Sequence, residues 1–203
     1  MKDLKNIGLI IVDPYNDFLS PGGKRWEDVK EVVQEVNLIE NLKYLLENCR
    51  LQNIKIFYAL HHQSIPGDFN NWKAPSKSNI AMRDLPLFKK GSWGAEVHPQ
   101  LQPKEGDIIA RKHWNSSGFA NTDLDFLLKQ NGITRIAIAG MATNSCVEST
   151  ARYGLELGYH VTLLINGVAT FSKEEQYASI KYNFPRISHS QLTIEDFISQ
   201  KNT

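Results

Sequence analysis

The stretch RIAIAGMATNSCVESTARYGLELGYHVTLLI, Arg135 to Ile165, decides the fold. It opens on an apolar run of strand length and breaks at Gly140. Small and apolar residues then recur at helical spacing (Val147, Ala151, Gly154–Leu155, Gly158), and a second apolar run, HVTLLI, closes it. Strand, helix and strand in so short a span make a crossover unit, which requires parallel strands. Working outward, similar runs stand at Ile7–Val12 (IGLIIV), Ile54–Leu60 (IKIFYAL) and Asp107–Arg111 (DIIAR), with a weaker one near Gln191–Thr193. Near-continuous Ile/Val/Leu runs suit strands covered on both faces. Helical patterns fall at Asp28–Gln52, Thr122–Gln130, Asn144–Leu157, Lys173–Lys181 and Ile194–Gln200, the last opening on Thr193-Ile-Glu-Asp196, a variant of the capping box. The expectation is an α/β fold with a mainly parallel sheet of about six strands.

With 203 residues, the chain 1–203 is expected to be one domain, large enough to bury a full core without disulfides or a structural metal. Hydrophobic residues at 41% and charged ones at 22% exclude disorder and collagen-like repeats. Twenty-three Lys and Arg against 22 Asp and Glu leave a net charge of +1, too balanced for an electrostatic nucleic-acid binder. No run approaches the length of a membrane span, and Ile7–Val12 is too short for a signal-peptide core. Two cysteines are too few for a disulfide framework. A cytoplasmic protein acting on a small molecule, with no nucleic-acid or membrane partner, is therefore expected. One stretch breaks the rhythm: 61–106 carries Pro66, Pro75, Pro86, Pro99 and Pro103 together with Phe69, Trp72, Phe88 and Trp93. These aromatics suit a solvated loop poorly, and the segment is expected to be a substrate-covering lid.

In an open parallel sheet, ligands bind beyond the carboxyl ends of the strands. The residues there are Asp13, Lys112 and, past a tight turn, Cys146: an acid, a cation and a thiol on one rim. Cys146 lies outside the apolar face of its helix. Thr143 or Asn144 can cap that helix, so the thiol enters its first turn, where the dipole and free N–H groups favour a thiolate and can hold an oxyanion. Cys49 instead continues the stripe Leu38, Leu42, Leu45, which marks a core thiol. Asp13 alone could be a turn residue before Pro14, and Lys112 alone a solvated strand end; their weight comes from convergence with Cys146. A carboxylate beside a thiol can take its proton and return it to a leaving amine. His61 and His62 end another strand on the same rim, which leaves a Cys–His dyad open. As strand neighbours they point to opposite faces, which disfavours a shared metal, and His113 beside Lys112 meets the same objection. His98 and His189 read as loop residues, and His160 starts a strand at the far end from the rim.

IVDPYNDF (Ile11–Phe18), GSWGAEVHPQL (Gly91–Leu101), KHWNSSGFANTDLDFLL (Lys112–Leu128) and AGMATNSCVESTARYGLELGYHVTLL (Ala139–Leu164) together resemble the isochorismatase-like cysteine hydrolases, a family that includes nicotinamidases, N-carbamoylsarcosine amidohydrolases and ureidoacrylate hydrolases. The resemblance implies a three-layer α/β/α Rossmann-like fold. It also implies a triad of Asp13 as general acid/base, Lys112 as electrostatic partner and Cys146 as nucleophile. A cis peptide at Met141–Ala142 would aim the Ala142 and Cys146 N–H groups at the oxyanion. Family nicotinamidases hold a metal through an Asp-x-His pair; here the matching positions, Ala59 to His62, carry no carboxylate, so neither metal nor cofactor is expected. Retention of Cys146 implies hydrolysis of a small amide or ureide C–N bond through a thioester. The alternatives are vinyl-ether cleavage of isochorismate to 2,3-dihydro-2,3-dihydroxybenzoate and pyruvate by Asp13 alone, and a catalytically degenerate binding or assembly module. Phe18, Trp72, Trp93, Trp114 and Phe119 are the expected pocket walls, and a homo-oligomer is implied. Asn166-Gly167 stands where the family often has Asp-Ala or Asp-Gly.

Overall fold

All six residues of β1, Ile7–Val12, are buried, because helices cover both faces of the strand. Successive side chains alternate between those faces. Leu9 and Ile11 enter one apolar cluster with α2 (Trp26–Glu35) and α3 (Leu38–Leu51). Ile10 and Val12 enter a second cluster with Val147, Ala151 and Phe184. The computed structural model describes residues 6–199, so Gln200 of the expected last helix and Met1–Lys5 lie outside the described residues. Within them the architecture is the expected three-layer α/β/α arrangement around a six-stranded sheet, ordered β3-β2-β1-β4-β5-β6 and parallel throughout. The other strands are β2 (Lys55–Ala59), β3 (Ile108–Ile109), β4 (Arg135–Met141), β5 (His160–Ala169) and β6 (Ser190–Leu192).

The order reverses at β1, whose partners are β2 on one side and β4 on the other, and the crevice between the carboxyl ends of β1 and β4 is the topological switch point. Val12 lies opposite both Ala59 and Gly140, so the chain leaves three strands at one level. Gly140 has φ +118, and a Cβ there would fall 2.1 Å from the Val12 carbonyl oxygen. Only glycine lets β4 turn this close to β1.

Three elements differ from expectation. The single helix read over Asp28–Gln52 is two helices, because Asn37 adopts φ 52 between them; Asn tolerates the left-handed region better than most residues, and the Asn41 amide donates to the freed Val36 carbonyl. The helix read over Lys173–Lys181 runs further: α7 (Lys173–Ala178) passes through a π turn into α8 (Phe184–Ile187). The excursion 61–106 contains α4 (Lys77–Asp84), closed by a complete capping box between Ser76 and Asn79. Short helices complete the chain: α1 (Asn16–Leu19), α5 (Leu124–Gln130), α6 (Glu148–Glu156) and α9 (Ile194–Ser199). Asn166 has a structural role, with its Oδ1 accepting the Ile194 N–H at 2.8 Å to seat α9 on the end of β5. Among the described residues, no helix is long and apolar enough to cross a membrane.

Candidate active site

Asp13 follows β1 directly, with φ 47 and 1% exposure. A non-glycine residue held in the left-handed region marks a position over-determined by its surroundings. Its Oδ1 accepts the His61 N–H at 2.6 Å and faces His113 Nε2 at 3.2 Å. Its Oδ2 is buried without a hydrogen-bond partner at ordinary distance. The Cys146 thiol interacts with this carboxylate from the neighbouring strand end. Burial alone would push the Asp13 carboxyl up, but the His113 ring, then His61 and the thiol, hold it below the usual carboxylate range.

Cys146 sits in a π turn, Thr143–Val147, that links β4 to α6. The residue is partly exposed, whereas Cys49 is fully buried in the core as expected. The Met141–Ala142 peptide is cis. The Ala142 N–H reaches the sulfur, and Ser145 Oγ stands 3.9 Å from it. The expected side-chain cap is absent: Thr143 Oγ1 bonds Gln176, and Asn144 bridges Glu175 and Thr170. The thiol is not acidified either. Burial and then the Asp13 charge push it well above its ordinary value, outweighing the Ser145 and Ala142 donors. The resting site therefore holds a thiol beside a carboxylate.

Lys112 is not brought to this pair. It is half-buried, and burial, then the charge of Lys90, lowers its affinity for a proton. The side chain facing Asp13 is that of His113, fully buried, whose Nδ1 also lies 2.5 Å from the Asn115 carbonyl oxygen. The reason is strand parity. The segment after β3 stays in register with β2, with His113 bridging to His61, so residues 112 and 113 point to opposite faces and the odd position faces Asp13. The same alternation sends His61 inward, its ring 5.0 Å from that of His113, and His62 outward onto Trp114. Among the described residues, no group of three or more His, Cys, Asp or Glu is arranged to hold a metal ion.

The expected pocket walls divide. Trp114 stacks on His62 at 3.8 Å between ring centres and meets Phe69 and Trp72, so the excursion rests its aromatics on the strand end. Phe18 packs edge-on against Phe88, which stacks on Tyr15 and approaches His61. Trp93 is 48% exposed, and its carbonyl accepts from Asn16. Phe119 is not brought to these aromatics. It is buried in the core cluster that also holds Val147 and Ala151, stacked on Tyr153 and Tyr159 where Gly154 leaves room for its ring. Sequence reasoning also missed Ser116, whose hydroxyl lies 3.4 Å from that of Ser145 beside the thiol.

The isochorismatase domain family matches residues 8–194. The chain belongs to the isochorismatase family. It is 33% identical over 174 residues to the ureidoacrylate amidohydrolase RutB of Caulobacter segnis, covering 80% of this chain and 72% of that protein. It is 40% identical over 107 residues to the isochorismatase family protein YwoC of Bacillus subtilis, covering 52% of this chain and 55% of that one. Among solved structures, an isochorismatase-like hydrolase from Alkaliphilus metalliredigens superimposes with a TM-score of 0.76 at 25% identity, over 96% of this chain and 95% of that one. A cysteine hydrolase from Pseudomonas syringae pv. phaseolicola gives 0.79 at 24% identity, over 97% and 92%. The protein is a hydrolase of this family.

Proposed function

We propose that this isochorismatase-family hydrolase cleaves a small amide or ureide C–N bond through a thioester on Cys146. The observation that carries the reading is the buried Asp13 carboxylate, whose Oδ2 has no partner at ordinary hydrogen-bond distance, beside the thiol of Cys146, a residue that is itself partly exposed. Oδ2 takes the thiol proton as the sulfur attacks the carbonyl carbon, the Ala142 and Cys146 N–H groups receive the oxyanion, and the intermediate collapses with loss of the amine. Asp13 returns the proton to that amine. It then deprotonates the water that opens the thioester. A thiol kept protonated at rest fits this sequence, because the base and the nucleophile's proton are stored side by side until a substrate excludes water.

Likeness to the Caulobacter ureidoacrylate amidohydrolase supports ureides as the first substrates to try. The aromatics Trp72 and Trp114, with Phe18 and Trp93, are the side chains proposed to meet a flat substrate, and the excursion 61–106 is proposed to cover it. The competing reading, vinyl-ether cleavage of isochorismate by Asp13, needs no thiol. The two part in one experiment that compares ammonia or amine release from a panel of ureides and amides with pyruvate release from isochorismate, for the wild type and Cys146→Ala. Ureide turnover abolished by Cys146→Ala supports the proposal. Isochorismate turnover that survives it overturns the proposal. A homo-oligomer is proposed as well, and sedimentation as a monomer at micromolar concentration would contradict that.

A further inference from the structure

We propose that His113, held as an imidazolium between the Asp13 carboxylate and the Asn115 carbonyl, is the cationic positioning residue of this site, in place of a lysine. The inference rests on reading Asp13 as the acid/base. His113 is 0% exposed and both its ring nitrogens face oxygens, Nδ1 the Asn115 carbonyl at 2.5 Å and Nε2 Asp13 Oδ1 at 3.2 Å. A carbonyl oxygen only accepts, so Nδ1 carries a hydrogen. A neutral ring would then turn the bare Nε2 lone pair toward an oxygen that already accepts the His61 N–H. Placing a second proton on Nε2 converts that repulsion into a charge-assisted bond.

Among the described residues, the other titratable groups around the pair leave room for only one cation. From the end of β2, His61 has its Nδ1 on the His62 carbonyl oxygen at 3.0 Å, and burial keeps the ring neutral. Beyond β1, Tyr15 donates its hydroxyl to the His61 carbonyl and stays protonated. Beyond β4, Cys146 is a thiol. On the segment after β3, Lys112 lies on the face opposite His113, and at the end of β2 His62 faces outward to Asp68 and Trp114. Asp13 and His113 therefore stand as one carboxylate and one imidazolium, sealed together.

Replacing lysine by histidine has a chemical consequence. A lysine ammonium starts near ~10.4, whereas the His113 imidazolium starts near ~6.5, lowered by burial and on balance raised by the Asp13 carboxylate with the Asn115 and Ala59 carbonyls. Once that proton goes, the site carries an uncompensated negative charge. Transfer of the thiol proton to Asp13, with growth of negative charge on sulfur and then oxygen, becomes less favourable. Hydrolysis should fall on the alkaline side with the titration of His113.

The test is nitrogen-15 histidine NMR on the full-length resting protein. The His113 signals are assigned by their loss in His113→Gln, and the pH profile of kcat/KM is measured in parallel. The expected result is a His113 with both nitrogens protonated at pH 7.5, titrating together with the alkaline limb of kcat/KM. His113→Gln should lower kcat by about 10²-fold with a smaller change in KM, and by more than Lys112→Met does. His113→Lys should recover part of kcat and move the alkaline limb upward. A neutral, single-tautomer His113 at pH 7.5 overturns the proposal whatever the enzyme hydrolyses, and so does a larger loss in Lys112→Met. The spectrum needs no substrate and no variant to be active. Failure of every amide on the panel would therefore count against the proposed function without touching this result.

Discussion

At the scale of single residues, the site turns on how two charges and one thiol share a buried space. Asp13 lowers its own proton affinity through His113 and raises that of Cys146, and the signs follow from charge and burial alone. Iodoacetamide labelling of Cys146, followed by peptide mass spectrometry, should accordingly show a midpoint above the ordinary thiol value of about 8.5. Asp13→Asn should move it down by removing the adjacent anion; a wild-type midpoint below that value, or an upward move in the variant, contradicts the assignment. The same substitution removes the base and should reduce kcat by about 10²- to 10⁴-fold. Asp13 and Cys146 were legible through their convergence on one rim, Asp13 directly after one strand-like run and Cys146 past the tight turn that follows another. Lys112 was singled out because the sequence shows that a cation stands at the strand end but not which of two neighbours faces inward. That parity is set by the pairing of the short third strand with the second.

At the scale of elements, the approach of β4 to β1 positions the nucleophile. Gly140→Ala would set a Cβ 2.1 Å from the Val12 carbonyl oxygen at φ +118. It should lower stability by about 1–3 kcal/mol, read as a lower urea midpoint with unchanged slope, and should slow hydrolysis as well. An unchanged midpoint would mean that the close approach is dispensable. The capping box of α4 belongs to the excursion. Ser76→Ala should cost about 1 kcal/mol, detected as faster amide exchange across α4 with little change in the sheet; uniform loss of protection would show instead that α4 is cooperative with the core. Strands were legible to within a few residues, since apolar runs bounded by polar ends leave little choice. The break at Asn37 was hidden, because one left-handed residue leaves the apolar spacing on either side intact. In the excursion, five prolines masked a helix whose signal lay in Ser76 and Asn79.

At the scale of the whole molecule, the parallel order of the sheet was readable from the alternation of strands and helices, and it sets the crevice in which the site lies. The buried ionisable groups then give the fold a pH window. Asp13 is held low and His61 is held neutral, so the unfolded chain takes up protons that the native chain refuses, first below about 6.5 and then below about 4. Stability falls with acid. On the alkaline side the contribution of His113 is complete below its unfolded value and is lost as pH rises through its higher native value. Cys146, Tyr15 and Tyr58 keep protons that the unfolded chain releases above about 8.5 and about 10. The melting temperature should therefore be highest between about pH 6.5 and 8.5 and fall on both sides; a value still rising at pH 10 would contradict the assigned protonation states. Covalent catalysis by Cys146 with Asp13 as its base is tested by intact-protein mass spectrometry after rapid acid quench during turnover of a ureide. The expected result is a carbamoyl or acyl adduct that maps to Cys146 and is absent in Cys146→Ser. Full turnover with no adduct, undiminished in Cys146→Ala, would contradict it.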